Sequence, residues 1–219
     1  TLPYLADDPA TKGLLNKILD ENNAPRVYSD VYVSATSEKG RSPKEKAGRL
    51  SLGYGKNLLF DDAFGPELGF GITMYETLKE PILIIKTAWG GKSLHTDFRP
   101  PSAGPYKLAK EVQTLWDENP DGGQGAPKES DRAEWWSKKN KETGHYYRLM
   151  IDTIKGILKD PSKVCSAYDP KEGYELSGLV WFQGFNDMID GTTYPKKGEE
   201  GRFSLYSSLF SQFITDVRK

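Results

Sequence analysis

The apolar run at residues 179–182 (Leu-Val-Trp-Phe) constrains the fold of this chain most, because it ends abruptly at a polar cluster. Apolar runs rich in Val and aromatic residues are typical of buried strands in parallel sheets. The polar residues that follow directly are Gln183, Gly184, Asn186 and Asp187. In open α/β sheets, ligands bind just beyond the carboxyl ends of the strands. The segment therefore predicts a buried strand whose end lies at a functional site.

A second apolar segment has the same shape. Residues 81–85 are β-branched or apolar, and the chain continues from them into the turn at residues 89–93 (Trp-Gly-Gly-Lys-Ser). The paired glycines, Gly90 and Gly91, allow positive φ and a close approach of ligands to backbone N–H groups. Two strands that end in donor-rich turns predict one shared pocket, lined by the Asn186 amide and by these backbone groups.

Hydrophobic periodicity predicts helices that alternate with strands. The predicted helices are one that begins at Pro9 with Asp8 as its cap, and those at residues 66–78, 145–159 and 204–217; the predicted strands are residues 27–36 and 81–88. Residues 37–56 are predicted to be a basic loop, and residues 99–144 an irregular insertion in a single domain over residues 1–219. This order indicates an α/β fold with a mostly parallel sheet. Gly69 and Gly71 would weaken the second helix, which indicates close packing there.

Composition excludes several classes of protein. The net charge is −1, with 30 basic and 31 acidic side chains, so we expect no global attraction to nucleic acid or to anionic lipid. Cys165 is the single cysteine, which excludes an intrachain disulfide and a multi-cysteine metal site. No apolar stretch approaches the roughly 20 residues that span a bilayer. We therefore expect no metal, no cofactor, no nucleic-acid partner and no membrane span.

Familiar nucleotide-binding and hydrolase motifs fail on spacing. The Gly-Lys-Ser sequence at residues 91–93 would need a glycine five residues before Gly91 to form a phosphate-binding loop, and that position is Lys86. A Gly-x-Ser-x-Gly elbow does not occur in the sequence. The chain is therefore predicted to be neither a P-loop protein nor an α/β-hydrolase of the elbow type.

Two further groupings of polar residues are better explained without catalysis. Ser93, His95 and Asp97 alternate, but the members of a catalytic triad usually come from separate elements, so we interpret this spacing as accidental. Glu142 and His145 are three residues apart at the start of a predicted helix, where a surface ion pair is the plainer interpretation. Asn186 remains the strongest single candidate, although Asn after a strand also forms turns.

Three sequence blocks resemble a known family. Gly184-Phe-Asn-Asp187 resembles the Gly-x-Asn-Asp block of the SGNH (GDSL-like) hydrolases. The strings Trp-Phe-Gln-Gly-Phe-Asn-Asp at 181–187, Ala-Trp-Gly-Gly-Lys-Ser at 88–93 and Gly-Pro-Glu-Leu-Gly-Phe-Gly at 65–71 resemble the sialate O-acetylesterase-like carbohydrate esterases of that superfamily. The similarity covers about residues 60–105 and 145–219.

The resemblance implies a three-layer α/β/α sandwich and a serine esterase that removes O-acetyl groups from sugars through an acyl-serine intermediate. It implies an oxyanion hole in which Asn186 supplies a side-chain donor and Gly91, or else Gly90, supplies a backbone donor. An O-acetylated carbohydrate is the implied partner, and secretion or a periplasmic location is expected by analogy. The residues expected to contact the substrate are Gln183, Asp187, Trp89 and Ser93.

The chain departs from the family pattern at both ends of the active site. The family's Gly-Gln-Ser-Asn-like nucleophile turn and its Asp-x-x-His block have no counterpart here, so we expect a partial domain without its first and last strands, inactive alone. A site rebuilt from Ser93 and the His145 segment is one alternative. Another is a carbohydrate-binding protein that uses Trp116, Trp135 and Trp136 as stacking platforms, and a third is an α/β interaction domain without a ligand.

Overall fold

The computed structural model describes residues 9–39, 42–55, 58, 60–123 and 125–219. The chain divides into two compact units. The single domain predicted over residues 1–219 stays a prediction. Unit one comprises Thr1–Gly90 and Thr153–Leu176, and unit two comprises Gly91–Asp152 and Ser177–Lys219. Each unit is described by itself.

Unit one contains a three-stranded mixed sheet, which confirms the α/β class. The strands are β1 (Tyr28–Lys39), β2 (Ser42–Leu50) and β3 (Ile82–Thr87), in the order β2-β1-β3. β1 is antiparallel to β2 and parallel to β3. β1 and β3 were predicted from their apolar residues. These three strands do not form the mostly parallel sheet that was predicted.

The prediction of a loop over residues 37–56 is wrong for residues 37–39 and 42–50, which form strands, and is confirmed for residues 51–55. β1 continues to Lys39, and β2 pairs with it antiparallel from Ser42 onwards. The charged side chains of β2 concealed the strand, because an antiparallel strand with a solvated face tolerates them. Leu50, at the end of β2, is fully buried and belongs to the core of unit one.

Helices α1 (Pro9–Ile18) and α2 (Pro66–Leu78) confirm two predictions, while Asp8, the expected cap of α1, lies outside the described residues. A Cβ added at Gly71 would lie 2.6 Å from Leu50 Cδ2 and 2.9 Å from Ile84 Cδ1, so the close packing expected there is confirmed. The same expectation is wrong for Gly69, since a Cβ there would meet nothing within 4 Å.

Helices account for much of the remaining chain: α3 (Lys110–Glu118), α4 (Glu129–Glu142), α5 (His145–Leu158), α6 (Phe185–Ile189) and α7 (Ser204–Val217), with 3₁₀ turns at Pro101–Ala103 and Pro161–Lys163. α5 and α7 were predicted. The prediction of an irregular segment over residues 99–144 is wrong, because α3 and α4 form there and pack around an aromatic cluster. Within the described ranges, no helix is long and apolar enough to cross a bilayer.

The buried strand predicted at residues 179–182 is wrong. These residues have no regular secondary structure, and Leu179, Val180 and Phe182 are 48%, 68% and 87% exposed. Only the Trp181 ring packs inward, with its centroid 4.3 Å from that of Phe213. An apolar run forms a buried strand only where a neighbouring strand pairs with its backbone, and none of the described strands pairs with residues 179–182.

Candidate functional site

The glycine-rich turn opens unit two. Gly91 has a φ of +74°, a conformation that glycine adopts without strain, and a Cβ added there would meet nothing within 4 Å. The segment that follows the turn is closed by a bond from Phe98 N–H to the Ser93 carbonyl at 2.9 Å. The first turn of α5 holds this segment, since Tyr146 N–H donates to the Asp97 carbonyl at 3.0 Å. The turn is therefore a fixed backbone feature with open space at Gly91.

Asn186 lies against this turn. Gly184, with a φ of +155°, is the residue that precedes α6, and Asn186 is the second residue of that helix. The Asn186 side-chain amide donates to the Lys92 carbonyl at 3.0 Å, and the Gln183 amide donates to the same oxygen at 3.0 Å. Since Lys92 follows Gly91 directly, unit two brings Asn186 and Gly91 together. An amide has two N–H groups, so this bond uses one of them.

Asp187 is fully buried and accepts four hydrogen bonds. Its Oδ2 accepts from Leu94 N–H at 2.8 Å and from the Gln183 amide at 2.6 Å. Its Oδ1 accepts from His95 N–H at 3.1 Å and from the Tyr194 hydroxyl at 2.7 Å. A carboxylate with two oxygens is satisfied by these donors. The contacts make Asp187 an anchor for the turn, with no surface towards a substrate.

A buried histidine, His95, pairs with the partly buried carboxylate of Asp190 beside this anchor. His95 is 3% exposed; its Nε2 is 3.4 Å from Asp190 Oδ2, and its Nδ1 is 2.7 Å from Thr96 Oγ1. Burial by itself raises the pKa of Asp190, but hydrogen bonds from the His95 ring and from Thr193 outweigh it and hold that pKa well below its ordinary value. Both nitrogens of His95 are therefore engaged within the protein.

Ser93 is held by a carboxylate. Its hydroxyl donates to Asp97 Oδ2 at 3.0 Å, and its backbone N–H donates to the same oxygen at 2.8 Å. The ring of His95 contacts Asp190 and Thr96, so the alternating Ser93, His95 and Asp97 do not form a relay. His145 is exposed, and its ring lies against that of Tyr146.

Two buried arginines fix the loops around the carboxylates. The guanidinium of Arg99 donates to the carbonyls of His95, Ala103 and Gly104, and burial lowers its pKa. The guanidinium of Arg202 donates to the carbonyls of Met188, Asp190 and Pro195. Both guanidinium groups are therefore satisfied by backbone carbonyls, which holds the loops that carry His95 and Asp190 in place.

The aromatic cluster of unit two consists of Tyr106, Trp116, Trp135 and Trp136. Its ring centroids lie 5.0–6.3 Å apart, and Trp116 is 2% exposed. Burial raises the pKa of Tyr106, whose hydroxyl bonds with Thr193. These rings form a core instead of an open surface.

The remaining sequence-predicted site residues, Trp89 and Gly90, fall in unit one. Trp89 is 8% exposed, so its ring offers little surface for a sugar, whereas Gly90 is exposed. Within the residues described, no group of three or more His, Cys, Asp or Glu side chains is placed to hold a metal ion. Asp190, Arg99, Arg202 and Tyr194 were not predicted from the sequence. The His95 partner of Asp190 lies 95 positions away, and the two arginines donate to backbone carbonyls, which every residue type offers.

Comparison of the chain with protein-family models, with curated proteins and with solved structures returned no match.

Proposed function

We propose that this chain carries the oxyanion donors of a serine-dependent carbohydrate esterase that removes O-acetyl groups from sugars. One observation supports the proposal: the Asn186 amide bonds to the Lys92 carbonyl, one residue from Gly91 in the glycine turn. A side-chain amide and a backbone N–H from a neighbouring turn are the kinds of donor that stabilise the anion of acyl transfer.

In this proposal, a serine hydroxyl attacks the acetyl carbonyl of the substrate while a histidine removes its proton. The carbonyl oxygen becomes an oxyanion, which accepts the second N–H of Asn186 and the backbone N–H of Gly91. Collapse of the intermediate expels the sugar oxygen, which takes the proton from the histidine. Water then releases acetate from the acyl-serine by the same steps.

The proposal takes the nucleophile and the base from outside this chain. Ser93 is the serine nearest in sequence to the donors, and its hydroxyl donates to Asp97. Both ring nitrogens of His95 are occupied by Asp190 and Thr96. A serine nucleophile needs a histidine that accepts its proton, and the described contacts of Ser93 include none.

The finer features of the fold and of the substrate site belong to the same proposal. We assign the mixed α/β chain to a three-layer α/β/α sandwich, with additional strands from outside this chain. The partner is an O-acetylated carbohydrate, and Gln183, next to the donors, is the residue proposed to contact its hydroxyl groups. No cofactor is needed for this chemistry.

The test uses the natural polypeptide that carries this chain. It is expected to release acetate from O-acetylated sugars, and Asn186→Ala is expected to lower kcat by about 10²–10³. Asn119→Ala is the matched control, because the Asn119 side chain also donates to a backbone carbonyl, that of Leu115, at 2.7 Å. Absence of acetate release, or equal kcat in the two variants, would refute the proposed function.

The 219-residue chain alone provides a separate test of where the nucleophile lies. We expect no hydrolysis of an aryl acetate above the buffer rate. Clear turnover that disappears in Ser93→Ala would show that the nucleophile is inside this chain, and that part of the proposal would then be wrong.

The rival function, sugar binding without catalysis, draws no support from Trp116, one of the three tryptophans on which it depended. Trp116 is 2% exposed, and Trp135 and Trp136 pack against it and against each other. Stacking on a sugar requires an open aromatic face, which Trp116 does not have; Trp135 and Trp136 are partly buried.

A further inference from the structure

We infer that Asp187 is a positioning residue, whose carboxylate holds the glycine turn in register with α6 so that the Gly91 N–H and the Asn186 amide face one site. The inference rests on the proposed esterase function, because that function is what the two donors would serve. The effect of the carboxylate on the positions of both donors can be measured without a hydrolysis assay.

The contacts of Asp187 join the two segments that carry the donors. Its two oxygens accept the backbone N–H groups of Leu94 and His95, three and four residues beyond Gly91. Asp187 also follows Asn186 directly in α6, so movement of its backbone moves the amide. The carboxylate thus fixes the distance between the turn and the start of the helix.

Two further side chains hold the carboxylate itself. The Gln183 amide donates to Oδ2 at 2.6 Å and the Tyr194 hydroxyl donates to Oδ1 at 2.7 Å. Gln183 donates to the Lys92 carbonyl as well, so it ties the carboxylate to the oxygen that holds Asn186. The four donors and the complete burial of Asp187 leave no site for a sugar hydroxyl.

A charged acceptor suits this role. Hydrogen bonds to an ionised group are shorter and stronger than those between neutral groups, and a buried charge that loses its donors is costly. The turn therefore has one strongly favoured arrangement around the carboxylate. Donors of an oxyanion hole must be held to about 0.5 Å, which a single rigid anchor achieves.

The test compares Asp187→Asn with the unchanged chain by ¹H–¹⁵N NMR. Asn keeps the shape but turns an N–H₂ group towards groups that are themselves donors. We expect amide hydrogen exchange at Leu94 and His95 to speed up by about tenfold or more. We also expect the two side-chain amide protons of Asn186 to move towards the positions of a solvated amide.

Asp216→Asn is the matched control. The Asp216 side chain is 5% exposed and accepts the Ser102 backbone N–H at 2.8 Å, so its loss also removes a buried charged acceptor in unit two. It is expected to leave the Asn186 amide signals unchanged. If both variants shift those signals equally, the effect is a general loss of structure in unit two that is not specific to Asp187, and the inference is overturned.

Tyr194→Phe is the second variant, to be measured if Asp187→Asn does not fold. It removes one of the four donors and keeps the ring, so smaller changes in the same direction are expected at Leu94, His95 and Asn186. Signals identical to those of the unchanged chain at all three residues would overturn the inference. These outcomes are separate from those of the esterase assay, because an inactive enzyme with a responsive turn refutes only the proposed function.

Discussion

The side-chain amide of Asn186 donates to the backbone carbonyl of Lys92 at 3.0 Å, across 94 positions of sequence. The bond holds the amide at the residue that follows Gly91. Donors that are already oriented need no rearrangement when charge develops on a substrate, which is why such groups stabilise oxyanions effectively. The proposed acyl-transfer function depends on this relationship between the two residues.

Asn186→Asp is expected to lower kcat of the natural polypeptide on an aryl acetate at least as far as Asn186→Ala, by about 10²–10³ or more. The carboxylate has no N–H to donate, and its charge repels both the Lys92 carbonyl and a developing oxyanion. Asn119→Asp is the matched control and should keep kcat unchanged. A kcat for Asn186→Asp equal to that of the unchanged enzyme would contradict this prediction.

Ser93→Ala is expected to reduce the free energy of unfolding by about 1 kcal/mol without reducing kcat. The hydroxyl donates to Asp97 and accepts the Thr96 backbone N–H, so its loss removes structural bonds. Urea denaturation and the rate of aryl acetate hydrolysis by the natural polypeptide measure the two effects. Loss of hydrolysis with unchanged stability would identify Ser93 as the nucleophile instead.

The sequence predicted the elements that carry their own signal. α5 and α7 have apolar residues at helical spacing, and β1 and β3 are rich in β-branched residues, so each was found from its own residues. β2 was missed because its charged residues conceal a strand that is defined by pairing with β1. Residues 179–182 show the opposite case. This run has the apolar residues of a strand, but no described strand pairs with it, so it does not form one.

For the candidate site, the sequence predicted from polar residues after two apolar runs that Asn186 and the glycine turn lie close together. The Asn186–Lys92 bond brings them together in unit two although residues 179–182 form no strand, and their role as oxyanion donors stays a prediction. The pairing of His95 with Asp190 joins residues 95 positions apart, and no local spacing encodes it. The role of Asp187 was equally hidden, because its donors Leu94 and His95 are backbone N–H groups that every residue type offers.

Gly71→Ala is expected to lower the free energy of unfolding by about 1–3 kcal/mol, because the new methyl would overlap Leu50 and Ile84 in the core of unit one. Gly69→Ala is the control in the same helix. Its methyl meets nothing within 4 Å, so it should raise stability by roughly 0.5–1 kcal/mol through helix propensity. Chemical denaturation measures both, and equal effects of the two substitutions would contradict the packing described for α2.

Asp190→Asn is expected to cost about 1–3 kcal/mol of stability at pH 6 and progressively less in acid. Asp190 accepts the backbone N–H groups of Thr192 and Thr193 and pairs with His95, and these bonds hold its pKa below the ordinary value. The exposed Asp117, on α3, provides the control substitution Asp117→Asn for the loss of one negative charge.

The sign of this pH dependence follows from linkage. A carboxyl group whose pKa is lower in the folded state stabilises the fold fully above its unfolded pKa of about 3.9, and this contribution disappears as the pH falls towards the folded pKa. The difference in unfolding free energy between the unchanged chain and Asp190→Asn should therefore be largest above about pH 5 and shrink below about pH 4. Urea denaturation between pH 3 and pH 7 measures it. A difference that grows on acidification would mean that Asp190 is protonated in the folded protein, in conflict with its bonds to Thr192, Thr193 and His95.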